Sequence, residues 1–510
     1  MAFALDIPEL REQVSAHLDM KDMFACSLIS RLWYTSFNAD IWRTVAVAST
    51  YKKNPPVSAL IKNAHHVREF RLSGMVSMDH FSPGCTKLRV LTIDGDMIAN
   101  ADKNNREALE TIVTDIWTRI AEIIEQNRFL QHFQYYDQRL KPTGSIWRAL
   151  AKCPVISSLQ ICRSSVRPED MPAFWDACSK LETLHILDCS FSDYENSSNK
   201  PTVQFRKLQT VWMINVKDWS PLHQLHLIGQ APELRAWQWR IAANFLFCKG
   251  EFQALMKRRP CPSLSSLDVA RDDIEDEDMA VALDNMPLAV SVVAHWTRFG
   301  PMAFRSLQAH RHCTTIKTLD LFRCAYVTSQ MVQTLLSTCP LLESFAADMI
   351  LGIDIVDGEP WVCLNLTSLL VHLSLNGTIP EESQSMTQAE ARSREQQRAC
   401  EQLSRLEKLQ RLNICRDVGR HENSKSLDFR LRKKGGVLED LGDMNKLESL
   451  NFHATGQQLD VEDLQWMYDH WPRLLFVMGQ FHSDEARQRV VMEAYLEQRR
   501  KIVPLSKRLF

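Results

Sequence analysis

Apolar residues recur along most of this chain in one phrase, an anchor residue followed by apolar residues three and six places later. Clear copies are Cys85-Thr-Lys-Leu-Arg-Val-Leu, Cys178-Ser-Lys-Leu-Glu-Thr-Leu, Cys261-Pro-Ser-Leu-Ser-Ser-Leu and Cys339-Pro-Leu-Leu-Glu-Ser-Phe. Looser copies place anchors at 64, 85, 127, 153, 178, 205, 231, 261, 285, 313, 339, 363, 406, 444 and 471. Eleven of the fourteen steps span 21–30 residues, and the other three (42, 43 and 38) each contain an insertion. The phrase alone arises in any amphipathic helix, whereas a sustained period marks stacked structural units. Alternation at places six and eight after the anchor predicts a short strand with those residues inward. Val327, Met331, Leu335 and Cys339, four apart, predict a helix behind it, with Thr328 or Ser329 as N-cap. Each unit thus reads as strand, turn and helix, and only stacking can bury its apolar face.

The pattern breaks in several places. Residues 1–45 do not follow the period. Pro8 suits the first position of a helix whose face is Leu10, Val14 and Leu18. Asp19 separates it from a second helix (Met23, Cys26, Leu28, Ile29), and a third run carries Trp33, Phe37, Ile41 and Trp42. Three short helices are too small to bury so many large apolar groups, so this segment wants either a partner or the solenoid it precedes. Residues 46–63 read as a linker or capping segment, 64–485 as the irregular repeat array and 486–510 as a helical tail. Insertions fall near 100–126, 378–402 and 416–436. Within the first, Leu109, Ile112, Val113, Ile116, Trp117, Ile120 and Ile123 predict a long amphipathic helix. The second has almost no apolar residues and is expected to be a solvated loop or exposed helix.

Composition narrows the function. Sixty Lys and Arg against 62 Asp and Glu give a net charge of −2, which offers no whole-chain pull toward nucleic acid or anionic membrane. No GxGxxG or GxxxxGK[ST] string occurs among the 16 glycines. No apolar run approaches the ~20 residues of a membrane span, and residues 1–9 lack the basic start of a secretory signal. The expected compartment is therefore cytoplasm, nucleus or both, where the 14 cysteines are thiols. With no CxxC, the nearest approach to a metal or nucleophile cluster is His310-Arg-His312-Cys313, for which no second cluster or matching base is evident. No metal and no cofactor is expected, and no catalytic residue.

The period, with its L-x-x-L-x-[LI] core and frequent Cys, resembles the leucine-rich repeat in its cysteine-containing subtype. Cys178–Cys189 and Cys313–Cys324 show the pattern best. In residues 5–45, the order apolar-Pro-Glu-Leu, then Leu-Ile-Ser-Arg-x-Trp and a final Ile-Trp-Arg, resembles the F-box; Ile7 and Met23 stand where Leu is usual, with apolar bulk kept. Together these imply an α/β chain, an N-terminal three-helix F-box followed by a leucine-rich-repeat solenoid: a horseshoe with a parallel sheet on its concave face and helices on its convex face. The resemblance assigns docking on the Skp-type adaptor of an SCF (cullin–RING) ubiquitin ligase to Ile7, Pro8, Glu9, Leu10, Val14, Leu18, Leu28, Ile29, Ser30, Trp33 and Trp42. It implies a non-catalytic substrate receptor, the solenoid holding a target protein for ubiquitination. Two other readings stay open: a scaffold that uses the adaptor without ubiquitin transfer, and an enzyme with a Cys/His site.

Side-chain alternation locates the expected target surface at places seven and nine after each anchor. That stripe includes Tyr136, His185, Leu187, Trp212, Ile214, Gln238, Arg240, Asp268, Asp320, Phe322, Asp348 and His372. Aromatic residues beside an arginine have the make-up of a binding hot spot; the competing expectation is that loops fold over this face and bury them. Anchor cysteines, with Cys189 and Cys324, should be buried, and Cys162 and Cys415 more accessible.

Overall fold

The structure is a computed structural model that describes residues 7–502 except 16, 49–50, 52–53, 75–79, 81–83, 95–105, 137–140, 192–202, 272, 377–386 and 416–424. Parts of the expected insertions (100–105, 378–386, 416–424) and of the tail (503–510) therefore lie outside the described residues. The chain divides into two compact units, Met1–Glu251 with Pro260–Ser263, and Phe252–Arg259 with Leu264–Phe510.

Unit 1 opens with three helices, Pro8–Ser15 (α1), Met20–Ser27 (α2) and Arg31–Ile41 (α3). Their ends follow from the sequence. Asp19 caps α2 by accepting the Asp22 N–H at 2.8 Å, and Ser30 caps α3 by accepting the Trp33 N–H at 3.2 Å. Eight strands follow: Thr44–Ala48 (β1), Glu69–Ser73 (β2), Val90–Asp94 (β3), His132–Tyr136 (β4), Ser158–Cys162 (β5), Thr183–Leu187 (β6), Thr210–Val216 (β7) and Ala236–Ile241 (β8). Each pairs in parallel with the next in chain order. Strand β1 straddles the expected bound between the three-helix segment (1–45) and the linker or cap (46–63). Its Val45 and Val47 are buried like any repeat strand, and Ala39, Trp42, Val45 and Val47 keep the anchor spacing 25 residues ahead of Ala64, a copy that the expected third helical run overlaps.

The burial alternates with period two. In β4, β5 and β6 the second and fourth residues are buried and the others half-buried. The inward set is the one at places three, six and eight after each anchor, for example Ile156, Leu159 and Ile161 after Cys153. Helices close over it. The Trp117 ring of helix Arg106–Gln126 meets Tyr135 of β4 edge-on at 5.1 Å. Trp239 of β8 donates its indole N–H to Gln224 Oε1 at 2.7 Å, which satisfies a buried polar group.

Unit 2 repeats the scheme with Ser266–Val269 (β9), Ser291–Val293 (β10), Thr318–Asp320 (β11), Ser344–Leu351 (β12), Ser368–Ser374 (β13), Arg411–Asn413 (β14), Ser449–Asn451 (β15) and Phe476–Met478 (β16). These too are parallel in chain order. Two expectations need correction. The anchor placed at 285 belongs at Met286: Met286, Ala289, Val292 and Ala294 are buried, while Leu288 is 47% exposed. Pro287-Leu288 imitates the phrase one place early, and a one-residue slip turns every strand side chain to the wrong face. The polar insertion is not solvated where it is described. Helix Gln388–Ser404 buries Ala391, Glu395, Gln396, Ala399, Cys400, Gln402 and Leu403. Its polar groups are tolerated inside because they find partners; Gln402 Oε1 accepts the Trp361 N–H at 2.9 Å.

Candidate protein-interaction surface

On α1–α3 the apolar groups divide. Phe37 is buried against Trp33, with ring centroids 5.4 Å apart, and buried Asn38 donates to Asn63 Oδ1 at 3.0 Å, fastening α3 to helix Val57–Asn63. Val14, Leu18, Trp33 and Trp42 are half-buried. Ile7, Leu10, Phe24 and Leu32 are exposed, and Leu28 and Ile29 stand 72% and 65% exposed. Pro8 and Glu9 form the first turn of α1, and the Ser30 hydroxyl is occupied in capping α3. These six exposed apolar side chains within 26 residues are more than isolated surface groups, and such an excess marks a contact surface when its members adjoin. Sequence reasoning did not single out Phe24 or Leu32, although both belong to the same apolar excess.

The second candidate surface is the strand face opposite the buried one. In unit 1 the pairing aligns Gln134, Gln160, His185, Trp212 and Gln238 in one row and Tyr136, Cys162, Leu187, Ile214 and Arg240 in the next. The imidazole of His185 lies flat on the Trp212 indole, with centroids 3.9 Å apart and planes within 7°. Burial holds the His185 pKa down at about 4. Trp212 is 37% exposed and Arg240 exposed, while Tyr136, Leu187, Ile214 and Gln238 are half-buried. Burial also raises the Tyr136 hydroxyl pKa above its ordinary value.

In unit 2 the stripe is more constrained than expected. Asp268 and Phe322 are half-buried on the open face. Asp320 Oδ1 accepts the Phe322 N–H at 2.9 Å and Asp348 Oδ1 accepts the Arg323 N–H at 2.7 Å, so each carboxylate has an oxygen committed to a turn. His372 does not belong to an accessible stripe. It is 2% exposed, because the chain returning at Lys425 accepts the Leu375 N–H and buries both faces of the end of β13.

Sequence reasoning also missed a cluster. Arg323 places its guanidinium carbon 4.3 Å above the Trp296 ring and 5.5 Å from Phe322, and His295 Nδ1 lies 3.8 Å from Asp320 Oδ2. The slipped anchor at 285 hid His295 and Trp296. With the anchor at 286, Trp296 and Arg323 both stand ten places after their anchors and both are left-handed, at φ 65° and 60°. Arg163, Asp188, Asn215 and Ala454 share that place and that conformation. The recurring left-handed residue turns the chain off the strand and brings successive tenth-place side chains side by side.

His312 and His310 have structural partners. Buried His312 accepts the Ala289 N–H on Nδ1 at 3.0 Å and directs Nε2 to the Leu283 carbonyl at 2.9 Å, so it is a neutral structural imidazole, its pKa lowered by burial. His310 faces Asp284 at 3.2 Å instead. Among the described residues no three His, Cys, Asp or Glu side chains gather as a metal site. The anchor cysteines 85, 153, 178, 261, 313, 339 and 363 are buried, as are Cys189 and Cys324, whose thiols burial pushes up to about 12; Cys162 and Cys415 are half-buried. Among the described residues, no helix is long and apolar enough to cross a membrane.

The Leucine Rich Repeat family model matches residues 316–340, which hold β11 and helix Ser329–Thr338. With the parallel strand–helix units described above, that match supports a leucine-rich-repeat architecture. Among solved structures the chain is similar to an internalin from Listeria monocytogenes, with 12% identity over 85% of this chain and 87% of that one, at a TM-score of 0.29. It is also similar to a chain of the Rad7 and Elc1 complex in yeast, with 13% identity over 74% and 87%, at a TM-score of 0.37. No protein of curated function matches the sequence.

Proposed function

We propose that this protein is the substrate-recognition subunit of an SCF-type cullin–RING ubiquitin ligase, with α1–α3 acting as an F-box on a Skp-type adaptor and the repeats holding a target protein. The reading assigns it no bond-making chemistry of its own; linking target to ligase raises the effective concentration of one for the other. The observation that carries it is the exposed apolar set on α1–α3 and in the turn from α2 to α3, above all Leu28 and Ile29, which lie in that turn and not in the second helix as expected. Helices that served only to cap the repeats would turn such side chains inward. The resemblance of Leu28-Ile-Ser-Arg-x-Trp33 to the F-box motif points to the same face.

The test is adaptor pull-down by the full chain, by Leu28→Ala/Ile29→Ala and by a deletion of residues 1–45. Both side chains are solvent-facing, so the double variant keeps its fold, and its adaptor affinity is expected to fall by about 2 kcal/mol or more. Equal recovery of adaptor by all three proteins would refute the assignment.

A further inference from the structure

In unit 1 the residue just ahead of each early strand occupies an equivalent place: Arg43 before β1, Arg68 before β2, Arg89 before β3 and Gln131 before β4. Backbone bonds fix the equivalence. The Arg68 N–H donates to the Arg43 carbonyl at 2.9 Å, Arg89 to Arg68 at 2.6 Å and Gln131 to Arg89 at 2.8 Å. Parallel strand spacing of about 4.8 Å therefore stacks three arginines along one end of the sheet. All three line a cavity of about 460 Å³ shared with Asp40 from the end of α3, Glu69, His66 and His132.

The carboxylates leave positive charge uncovered. Glu69 takes the Thr44 hydroxyl at 3.2 Å, and Arg68 uses Nη1 on the His65 and Val67 carbonyls at 3.0 and 3.2 Å. Arg43 and Arg89 make no side-chain hydrogen bond and no ion pair with any described residue. Beside Arg68, His66 is held below its ordinary pKa, first by burial and then by His65, Arg68 and Lys87.

We propose that this cavity binds a phosphate monoester, with Arg43 and Arg89 as the two arms that reach it and Arg68 as the fixed charge between them. A phosphate monoester carries about −1.5 to −2 at pH 7, which suits three guanidinium groups set against two carboxylates. Guanidinium forks also match phosphate oxygens in pairs. The volume exceeds that of one phosphate and accommodates part of the group that carries it. No Phe, Tyr or Trp lines the cavity, so recognition there rests on charge and hydrogen bonding. The site is independent of the adaptor and target surfaces proposed above, and its test uses neither partner.

Calorimetric titration of the full chain at low ionic strength would use three probes: inorganic phosphate, the peptide Gly-Gly-phosphoserine-Gly-Gly and its unphosphorylated counterpart. Saturable binding of the phosphorylated probes alone is expected. Arg43→Gln and Arg89→Gln should each weaken it about 10-fold and together about 100-fold. Arg473→Gln, an exposed arginine of unit 2, should leave it unchanged. Tighter binding of the phosphopeptide than of inorganic phosphate would identify a phosphorylated protein as the source of the group. Equal or weaker binding would identify a free phosphorylated compound. Either result supports the site. Absence of saturation up to about 10 mM probe, or a double variant that binds like the parent while melting at the same temperature, would overturn it.

Discussion

Replacing Trp212 by Ala removes the ring that lies flat on His185, and the consequence is readable in one pKa. His185 sits at about 4 against an ordinary 6.5, the cause being burial. At about 1.36 kcal/mol per unit the displacement would come to roughly 3 kcal/mol. The imidazole is only partly covered, and solvent screening reduces this to about 1–2 kcal/mol. Since the folded value is the lower one, the unfolded chain takes up the proton first. The contribution is complete above pH 6.5 and is lost as pH falls toward 4, below which no further loss accrues. In the folded protein the proton would also reach a ring whose Nε2 is buried with no hydrogen-bond partner among the described residues. Imidazole NMR titration and urea unfolding across this range measure both effects. Trp212→Ala should move the His185 titration toward 6.5 and flatten that part of the stability profile, and His185→Gln should remove it. A His185 that titrates near 6.5 in the parent protein would refute the covered stack.

Other outcomes follow from the same geometry. Trp212→Ala and Arg240→Ala should weaken target capture while leaving adaptor binding intact and costing below about 1 kcal/mol of stability, checked by pull-down and thermal melting; a large loss of stability for Trp212→Ala would make it a core residue. Leu319→Ala should cost about 2–5 kcal/mol and Leu288→Ala below about 1, because Leu319 is buried and Leu288 is not; equal costs in urea unfolding would contradict the anchor at Met286. Native-state alkylation followed by peptide mapping should modify Cys162 and Cys415 well before Cys178 and Cys339, since burial raises Cys178 far above the ordinary thiol range; equal rates would contradict the strand alternation.

The strand positions were legible because one chemical requirement repeats: places three, six and eight must be apolar to fill a stacked core, and a Leu, Ile, Val or Phe there announces the register. What escaped had an ambiguous local marker or none. Ala39, Trp42, Val45 and Val47 keep the repeat spacing for β1, but Ala39 and Trp42 also continue the helical run of α3. Pro287-Leu288 satisfied the pattern on the wrong face. Helix Gln388–Ser404 reads as solvated since Glu395 and Gln402 are polar, and their burial depends on partners such as Trp361 that lie dozens of residues away. His372 was placed by alternation alone, whereas its exposure is set by the chain near Lys425. The Trp296–Arg323 contact lies outside alternation altogether, at left-handed residues beyond the strand end. On α1–α3 the apolar excess was visible in sequence, but which groups face solvent depends on how α3 packs through Phe37 and Asn38.

The receptor assignment is tested most directly by what the full chain brings with it. Tagged protein would be purified from cells with the proteasome and neddylation blocked, in parallel with Leu28→Ala/Ile29→Ala, and cullin and adaptor would be quantified by mass spectrometry. Both are expected with the parent chain and depleted about 30-fold or more in the double variant, the equivalent of a 2 kcal/mol hot spot. Parent chain free of adaptor and cullin, or a double variant that retains them in full, would contradict the assignment.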